Sequence, residues 1–153
     1  MTAVLVDQGA WLPVLRRYIA VMALGNLVWE FAQMPLYTLW ETGAPEEIAF
    51  AAIHCTGGDI LIALGALMAS LFIFGTGRWP ERGYLRVALS TIAVGLGYTL
   101  FSEWWNIGVR EAWAYRDLMP IIPVLDVGVS PFAQWIVLPS LAFWWAGRTK
   151  GKS

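Results

Sequence analysis

Ionisable side chains inside apolar stretches are the residues of this sequence most able to do chemistry. The acids and the single histidine in such stretches are Glu30, His54, Asp59 and Glu103. A carboxylic acid among apolar groups can hold a proton and donate it, while a carboxylate or an imidazole can take one away. We therefore predict Glu30 and Glu103 as a catalytic acid/base pair, with His54 and Asp59 as alternates.

Neutral polar and aromatic residues accompany these acids at helical spacing. Asn26, Glu30 and Gln33 occur at positions i, i+4 and i+7, which places them on one face of a helix. Glu103 and Asn106 repeat part of this pattern. Indole rings beside the acids can also face a developing carbocation. The residues that we predict to bind a ligand around the acids are Asn26, Trp29, Gln33, Trp104, Trp105, Asn106 and Gln134.

The acids and their neighbours lie in apolar stretches that predict membrane-spanning helices. A helix that crosses the hydrocarbon core of a bilayer needs about 20 mostly apolar residues. The predicted spans cover residues 17–36, 48–74, 84–107 and 132–145. Of the 153 residues, 58% are hydrophobic and only 14% are charged, whereas a soluble domain is about a quarter charged. The sequence thus predicts an all-α fold, a single transmembrane domain built as a four-helix bundle.

Basic residues in the connections predict the orientation of this bundle. Arg16 and Arg17 precede the first span, Arg78 lies in the connection after the second, and Arg148 follows the last. Residues 41–47, between the first two spans, carry glutamates and no Lys or Arg. Because loops rich in Lys and Arg stay in the cytoplasm, we predict that both termini are cytoplasmic.

Residues 111–131 predict an irregular outer loop before the last helix. Pro120, Pro123, Gly128 and Pro131 interrupt this otherwise apolar segment and disfavour a continuous helix. We expect the loop either to lie on the outer surface or to dip back as a cap over the bundle.

The depth of the polar groups predicts that they share one pocket. With a rise of about 1.5 Å per residue, the titratable groups of the spans all fall in the outer half of the membrane. An ionisable group at that depth normally turns inward and meets a partner. We predict a polar pocket that opens outward over an apolar floor. There the protein binds a hydrophobic isoprenoid or lipid-like molecule, or catalyses its isomerisation or cyclisation.

Other interpretations of the polar cluster stay open. Polar side chains in membranes also hold helices together, which would make the chain a non-catalytic accessory subunit of a membrane complex. Carboxylates with a histidine also suit iron, manganese or zinc. The Glu-x-x-His motif of di-iron bundles is absent, however, since the sequence has Gln33 and Asn106 at the histidine positions. We therefore predict no individual metal ligand and assign no cofactor. A transporter is disfavoured because the apolar inner half offers ions no route.

Four short segments and the general layout carry resemblances to known proteins. Asn26-Leu-Val-Trp29-Glu30 resembles the Asn-x-x-Trp-Glu element of the integral-membrane terpene cyclases, and this resemblance implies Glu30 as a proton donor. The general layout is also similar to that of membrane sterol isomerases. The segments 29–37, 54–59 and 101–106 look like a group of small bacterial four-span membrane proteins, which implies the bacterial inner membrane and no particular activity.

Charge and cysteine content exclude other classes. The net charge of −1 at pH 7 argues against a nucleic-acid partner, which requires a basic surface. The single cysteine, Cys55, excludes an intrachain disulfide. We expect membrane lipids and a hydrophobic small molecule as partners, and keep a homo-oligomer open.

Overall fold

The computed structural model describes residues 11–148, and this part of the chain is mostly helical. The helices are α1 (Trp11–Gln33), α2 (Leu39–Thr42), α3 (Pro45–Phe74), α4 (Tyr84–Glu103) and α5 (Val129–Gly147). A 3₁₀ turn, Met34–Leu36, follows α1, and a π-helical segment, Trp104–Val109, follows α4. Two short strands, β1 (Ile121–Ile122) and β2 (Val127–Gly128), pair antiparallel in the segment before α5.

Among the described residues, three helical segments are long and apolar enough to cross a membrane, judged by length and composition. They are Trp11–Leu36, Pro45–Phe74 and Tyr84–Val109. The fourth long helix, α5, has 19 residues but is not one of the three. Its tryptophans, prolines, serines and glutamine lower its mean hydropathy. The predicted all-helical fold with long apolar helices is thus confirmed, and the fourth span stays a prediction.

The four long helices pack in a ring in which each contacts two neighbours, in the order α1, α3, α4, α5. Neighbouring helices run in opposite directions, as the contacts between α1 and α5 show. Arg17, near the start of α1, lies over the ring of Trp145 near the end of α5. Glu30, near the end of α1, contacts Gln134 near the start of α5.

One end of the ring is covered by residues 104–128, which we call the cap. Its backbone bonds to the connection after α1, where the amide of Thr38 donates to Ala114 at 3.0 Å and that of Arg116 to Leu36 at 2.9 Å. Residues Tyr37 and Tyr115 form a β-bridge, and their rings lie 5.5 Å apart. The irregular loop predicted before the last helix is therefore present and closes one end of the bundle.

Apolar side chains fill the half of the ring opposite the cap. The buried residues of this core are Tyr18, Met22, Ala63, Leu67, Val87, Ala88, Trp135, Leu138, Ala142 and Phe143. Trp135 marks the upper boundary of the core, since its ring lies directly on Gly95 of α4. A Cβ at Gly95 would come within 2.4 Å of that ring, so the close approach of α4 and α5 depends on a glycine there.

Candidate functional site

The helical period of α1 brings its polar residues into the interior of the bundle. The buried positions of α1 recur about every four residues, at Val14, Tyr18, Met22, Asn26, Glu30 and Gln33. The first three of these are apolar or aromatic and the last three are polar, so one buried stripe changes character along the helix. The polar part of the stripe lies in the capped half of the bundle, and Glu30 is only 4% exposed.

Gln134 of α5 is the hub of a hydrogen-bond network on this stripe. Its Nε2 lies 2.8 Å from Oδ1 of Asn26, 2.9 Å from Oε1 of Glu30 and 3.0 Å from Oδ2 of Asp59. An amide nitrogen has two hydrogens, so these three acceptors share two donors. The amide of Asn26 donates in turn to the backbone oxygen of Met22 at 2.7 Å. One side chain of α5 thus connects α1 to α3.

Glu30 and Asp59 form a carboxyl pair at the centre of this network. Their side chains lie within hydrogen-bonding reach of each other, and the side chain of Trp135 lies close to Asp59. An ionised carboxylate only accepts hydrogen bonds, so two carboxyl groups can bond to each other only when one of them holds a proton. The pair can therefore keep one acidic proton inside an otherwise apolar bundle.

A second branch of the network leads from Glu30 to the start of α5. Gln33 donates to Oε1 of Glu30 at 2.8 Å and accepts a hydrogen bond from the hydroxyl of Ser130 at 2.8 Å. The indole N–H of Trp29 completes the branch by donating to Ser130 at 3.2 Å. These contacts fix the Glu30 carboxyl from a second direction, which restricts the orientations in which it can present a proton.

Glu103 lies at the end of α4, where the cap covers the bundle. The hydroxyl of Tyr115 donates to Oε2 of Glu103 and accepts a bond from the amide of Gly128 at 3.0 Å. Glu103 is 8% exposed and interacts electrostatically with Glu30, without a hydrogen bond between them. The carboxyl groups of α1, α3 and α4 therefore belong to one region, although Glu30 pairs with Asp59 and not with Glu103 as predicted.

Tyr37 lies near both Glu30 and Glu103. Its phenol interacts with Glu103, with Tyr115 and with Glu30, and burial is the main cause that raises its pKa above the ordinary value. Burial, followed by the charge of Glu103, likewise raises the pKa of Tyr115. Both phenols hence stay protonated over the physiological range and can serve as hydrogen-bond donors to the acids.

Four of the predicted site residues do not join the network. His54 is exposed and stacks on Phe50, with ring centroids 5.6 Å apart. The side chains of Trp104 and Trp105 are 56% and 41% exposed. Asn106 is buried but bonds to Ser102. A π-helical segment begins at Trp104 and changes the spacing of side chains. The regular helical period predicted for Trp104, Trp105 and Asn106 therefore does not apply.

Four further residues complete the site that the sequence did not single out. Tyr37, Tyr115, Ser130 and Trp135 are not among the site residues predicted from the sequence. Tyr115 reaches Glu103 through the path of the cap, which no helical period describes. Ser130 and Trp135 flank Gln134 on α5 by four residues and one residue, so their nearness to a polar residue inside a span was the available signal.

The cluster holds carboxylic acids and neutral hydrogen-bond donors. No group of three or more His, Cys, Asp or Glu side chains within residues 11–148 is placed to hold a metal ion. The arginines of the cap bond elsewhere, Arg110 to Asn106 at 3.3 Å and Arg116 to Glu41 and to the backbone oxygen of Pro35. What the arrangement can do chemically is hold, donate and accept protons.

A groove of about 430 Å³ lies at the opposite end of the bundle from the cap, away from these acids. It is lined by Trp11, Leu71, Gly75, Thr76 and Trp79. The polar side chains in the capped half contact one another beneath the cap, where Glu30 and Glu103 are buried and Asp59 is partly exposed.

Comparison of the chain with protein-family models, with curated proteins and with solved structures gives no match. The fold defines the class of helical membrane proteins. The function is therefore inferred from the site alone.

Proposed function

We propose that this chain is a four-span protein of the bacterial inner membrane that binds a hydrophobic isoprenoid or lipid-like molecule beneath its cap and exchanges protons with it. The observation that carries the proposal is the Glu30–Asp59 carboxyl pair, because such a pair keeps one proton in a place that water does not freely reach. Isomerisation of a double bond and cyclisation of an isoprenoid are the reactions that need such an acid.

The proposal includes α5 as the fourth span. A helix of 19 residues is about 28 Å long, close to the hydrocarbon thickness of about 30 Å. It packs against α1 and α4, which are both apolar enough to span. Basic residues at both ends of the described chain, Arg17 and Arg148, support cytoplasmic termini.

The protein surface supports a lipid environment. Large apolar side chains are exposed on every long helix, including Val28 on α1, Phe72 on α3, Leu85 on α4 and Leu141 on α5. A soluble protein rarely exposes contiguous apolar surface of this extent, whereas lipid covers it at no cost. A hydrophobic substrate can then enter from the bilayer without crossing water.

The chemistry balances without any further reactant. The proton held by the pair adds to one carbon of a substrate double bond and leaves a cation on the other carbon. The neighbouring carboxylate then takes a proton from the next carbon beyond the cation, and that C–H electron pair forms the new double bond. The double bond has moved, and the pair again holds one proton. In this scheme Glu30 is the donor, in agreement with the resemblance of its segment to the terpene cyclases, and Asp59 is the acceptor.

Deuterium incorporation tests this function without knowledge of the substrate. The purified chain is incubated in D₂O with a total bacterial lipid extract, and each lipid is examined by mass spectrometry. We expect at least one apolar lipid to gain a carbon-bound deuterium with the wild-type chain and with Glu46→Gln, an exposed acid at the start of α3. Glu30→Gln and Asp59→Asn should abolish the gain while the chain stays folded. No gain with the wild-type chain would contradict an enzymatic function.

A second candidate is an accessory subunit whose network only joins helices. The observation that favours it is that the single side chain of Gln134, on α5, bonds to side chains of both α1 and α3. In that case Glu30→Gln would release partner proteins or lower the thermal stability, and no lipid would gain deuterium.

A further inference from the structure

Two buried polar atoms near Glu103 have no hydrogen-bond partner among the described residues. One is the hydroxyl of Thr99 and the other is the indole N–H of Trp113. Thr99 is 6% exposed, so its hydroxyl is removed from solvent and from the lipid surface. Leaving such a group without a partner is unfavourable, and an unobserved ligand or water is a common reason for it.

Both atoms belong to residues that lie near the same carboxyl group, that of Glu103. Thr99 precedes Glu103 by one helical turn and shares its buried face of α4. Trp113 belongs to the cap and lies close enough to Glu103 to stabilise its charge, although its N–H falls outside hydrogen-bond geometry. One unpartnered donor from α4 and one from the cap thus lie near a single acidic side chain.

By contrast, the hydroxyl of Thr91, another buried threonine of α4, has a hydrogen-bond partner. The hydroxyl of Thr91 donates to the backbone oxygen of Val87 at 2.7 Å, which is the usual arrangement for a threonine inside a helix. Thr99 occupies an equivalent buried position two turns further along α4 but does not bond in this way. Its free hydroxyl is therefore a property of its surroundings and not of threonines on this helix.

The chemistry of these groups restricts what can bind between them. An indole N–H only donates, so its partner must offer an acceptor atom, which an ammonium group lacks. A phosphate would be repelled by Glu103 and by the nearby Glu30, and the arginines of the cap are bonded elsewhere. A hydrocarbon would leave both atoms unpartnered. A hydroxyl or ketone oxygen can accept from Trp113 and also bond to Thr99.

We infer that Thr99, Glu103 and Trp113 form the head-group subsite for a hydrophobic alcohol or ketone, with the oxygen of the ligand held between α4 and the cap. This inference rests on the proposed function and narrows its substrate class. It also gives Glu103 a role apart from the Glu30–Asp59 pair, which is to orient the polar head of the molecule.

Four probes that share one hydrocarbon tail and differ in their head group test the subsite. Hexadecanol, hexadecylamine, hexadecyl phosphate and hexadecane are each added to the full chain in detergent, and bound probe is measured by native mass spectrometry. We expect hexadecanol to bind best. Thr99→Val should weaken hexadecanol about tenfold. Thr99→Ser, which keeps the hydroxyl, should bind like the wild-type chain, and Thr91→Val is the matched control without effect.

The failures of the two proposals are distinguishable. Preference for the amine or the phosphate, or equal hexadecanol binding by Thr99→Val and the wild-type chain, would overturn the head-group subsite while leaving a hydrophobic ligand in place. Absence of binding for all four probes, with water as the only partner of Thr99, would overturn the subsite and the lipid-binding function together.

Discussion

The side-chain amide of Gln134 donates to the carboxyl group of Glu30 at 2.9 Å and links the last long helix to the first. An amide donor can bond to an oxygen of a carboxylate and also to the carbonyl oxygen of a neutral carboxylic acid. The proton of the Glu30–Asp59 pair can consequently move from one residue to the other without breaking this contact. The network is therefore compatible with proton transfer at a fixed geometry.

Replacing Gln134 should weaken the association of three helices. Gln134→Leu removes the donor for Asn26, Glu30 and Asp59, and hydrogen bonds inside membrane proteins average about 0.6 kcal/mol each. We expect the free energy of unfolding in detergent to fall by about 2 kcal/mol. Val137→Ala on the same helix, 39% exposed, should change it by less than about 0.5 kcal/mol. Equal losses in the two variants would contradict the role of Gln134 as a hub.

Two glycines of α4 should respond in opposite ways to the same substitution. Gly95→Ala places a Cβ 2.4 Å from the ring of Trp135, and overpacking of this kind costs about 1–3 kcal/mol. At Gly97 nothing lies within 4 Å of the added atom, so Gly97→Ala should be neutral or should stabilise the helix by up to about 1 kcal/mol. Thermal unfolding of both variants checks the difference, and a neutral Gly95→Ala would show that Trp135 can move away.

The sequence predicts the helices and the polar face of α1 because both depend on a local period. Asn26, Glu30 and Gln33 share one face in the structure as their spacing requires. The three segments that are apolar enough to cross a membrane, Trp11–Leu36, Pro45–Phe74 and Tyr84–Val109, contain the first three predicted spans.

Local sequence patterns do not predict which side chains of different helices contact each other. Whether Glu30 meets Asp59 or Glu103 depends on how far α3 and α4 slide past α1, and no local period fixes that register. The same limit applies to Tyr115, which reaches Glu103 only through the course of the cap. His54 illustrates the opposite error, because its chemistry suggested a role while its position on α3 turns it to the surface.

Alkaline pH should destabilise the contact between the cap and α4. Burial and the charge of Glu103 raise the pKa of Tyr115, so the folded chain keeps this phenol neutral where an unfolded tyrosine, with a pKa of about 10, ionises. The contribution is complete below pH 10 and is lost as the pH rises above it, by up to about 1.4 kcal/mol per pH unit. Unfolding measured from pH 8 to 12 should show a shallower decline for Tyr115→Phe, and identical slopes would contradict this contribution.

Arg116 should hold the cap closed chiefly through a backbone contact. Its guanidinium donates to the backbone oxygen of Pro35 at 2.6 Å and pairs with the exposed carboxylate of Glu41. An exposed ion pair contributes about 0–1 kcal/mol, whereas a hydrogen bond that involves a charged group contributes about 1.5–3 kcal/mol.

Arg116→Met removes both contacts, and Glu41→Gln removes only the ion pair. Hydrogen exchange of backbone amides in residues 112–128 should therefore accelerate about tenfold or more in Arg116→Met and less than about fivefold in Glu41→Gln. Equal acceleration in the two variants would assign the closure to the ion pair instead. Because the acids lie beneath the cap, the variant that opens more often should also exchange bound hexadecanol faster, which native mass spectrometry of a preloaded sample can follow.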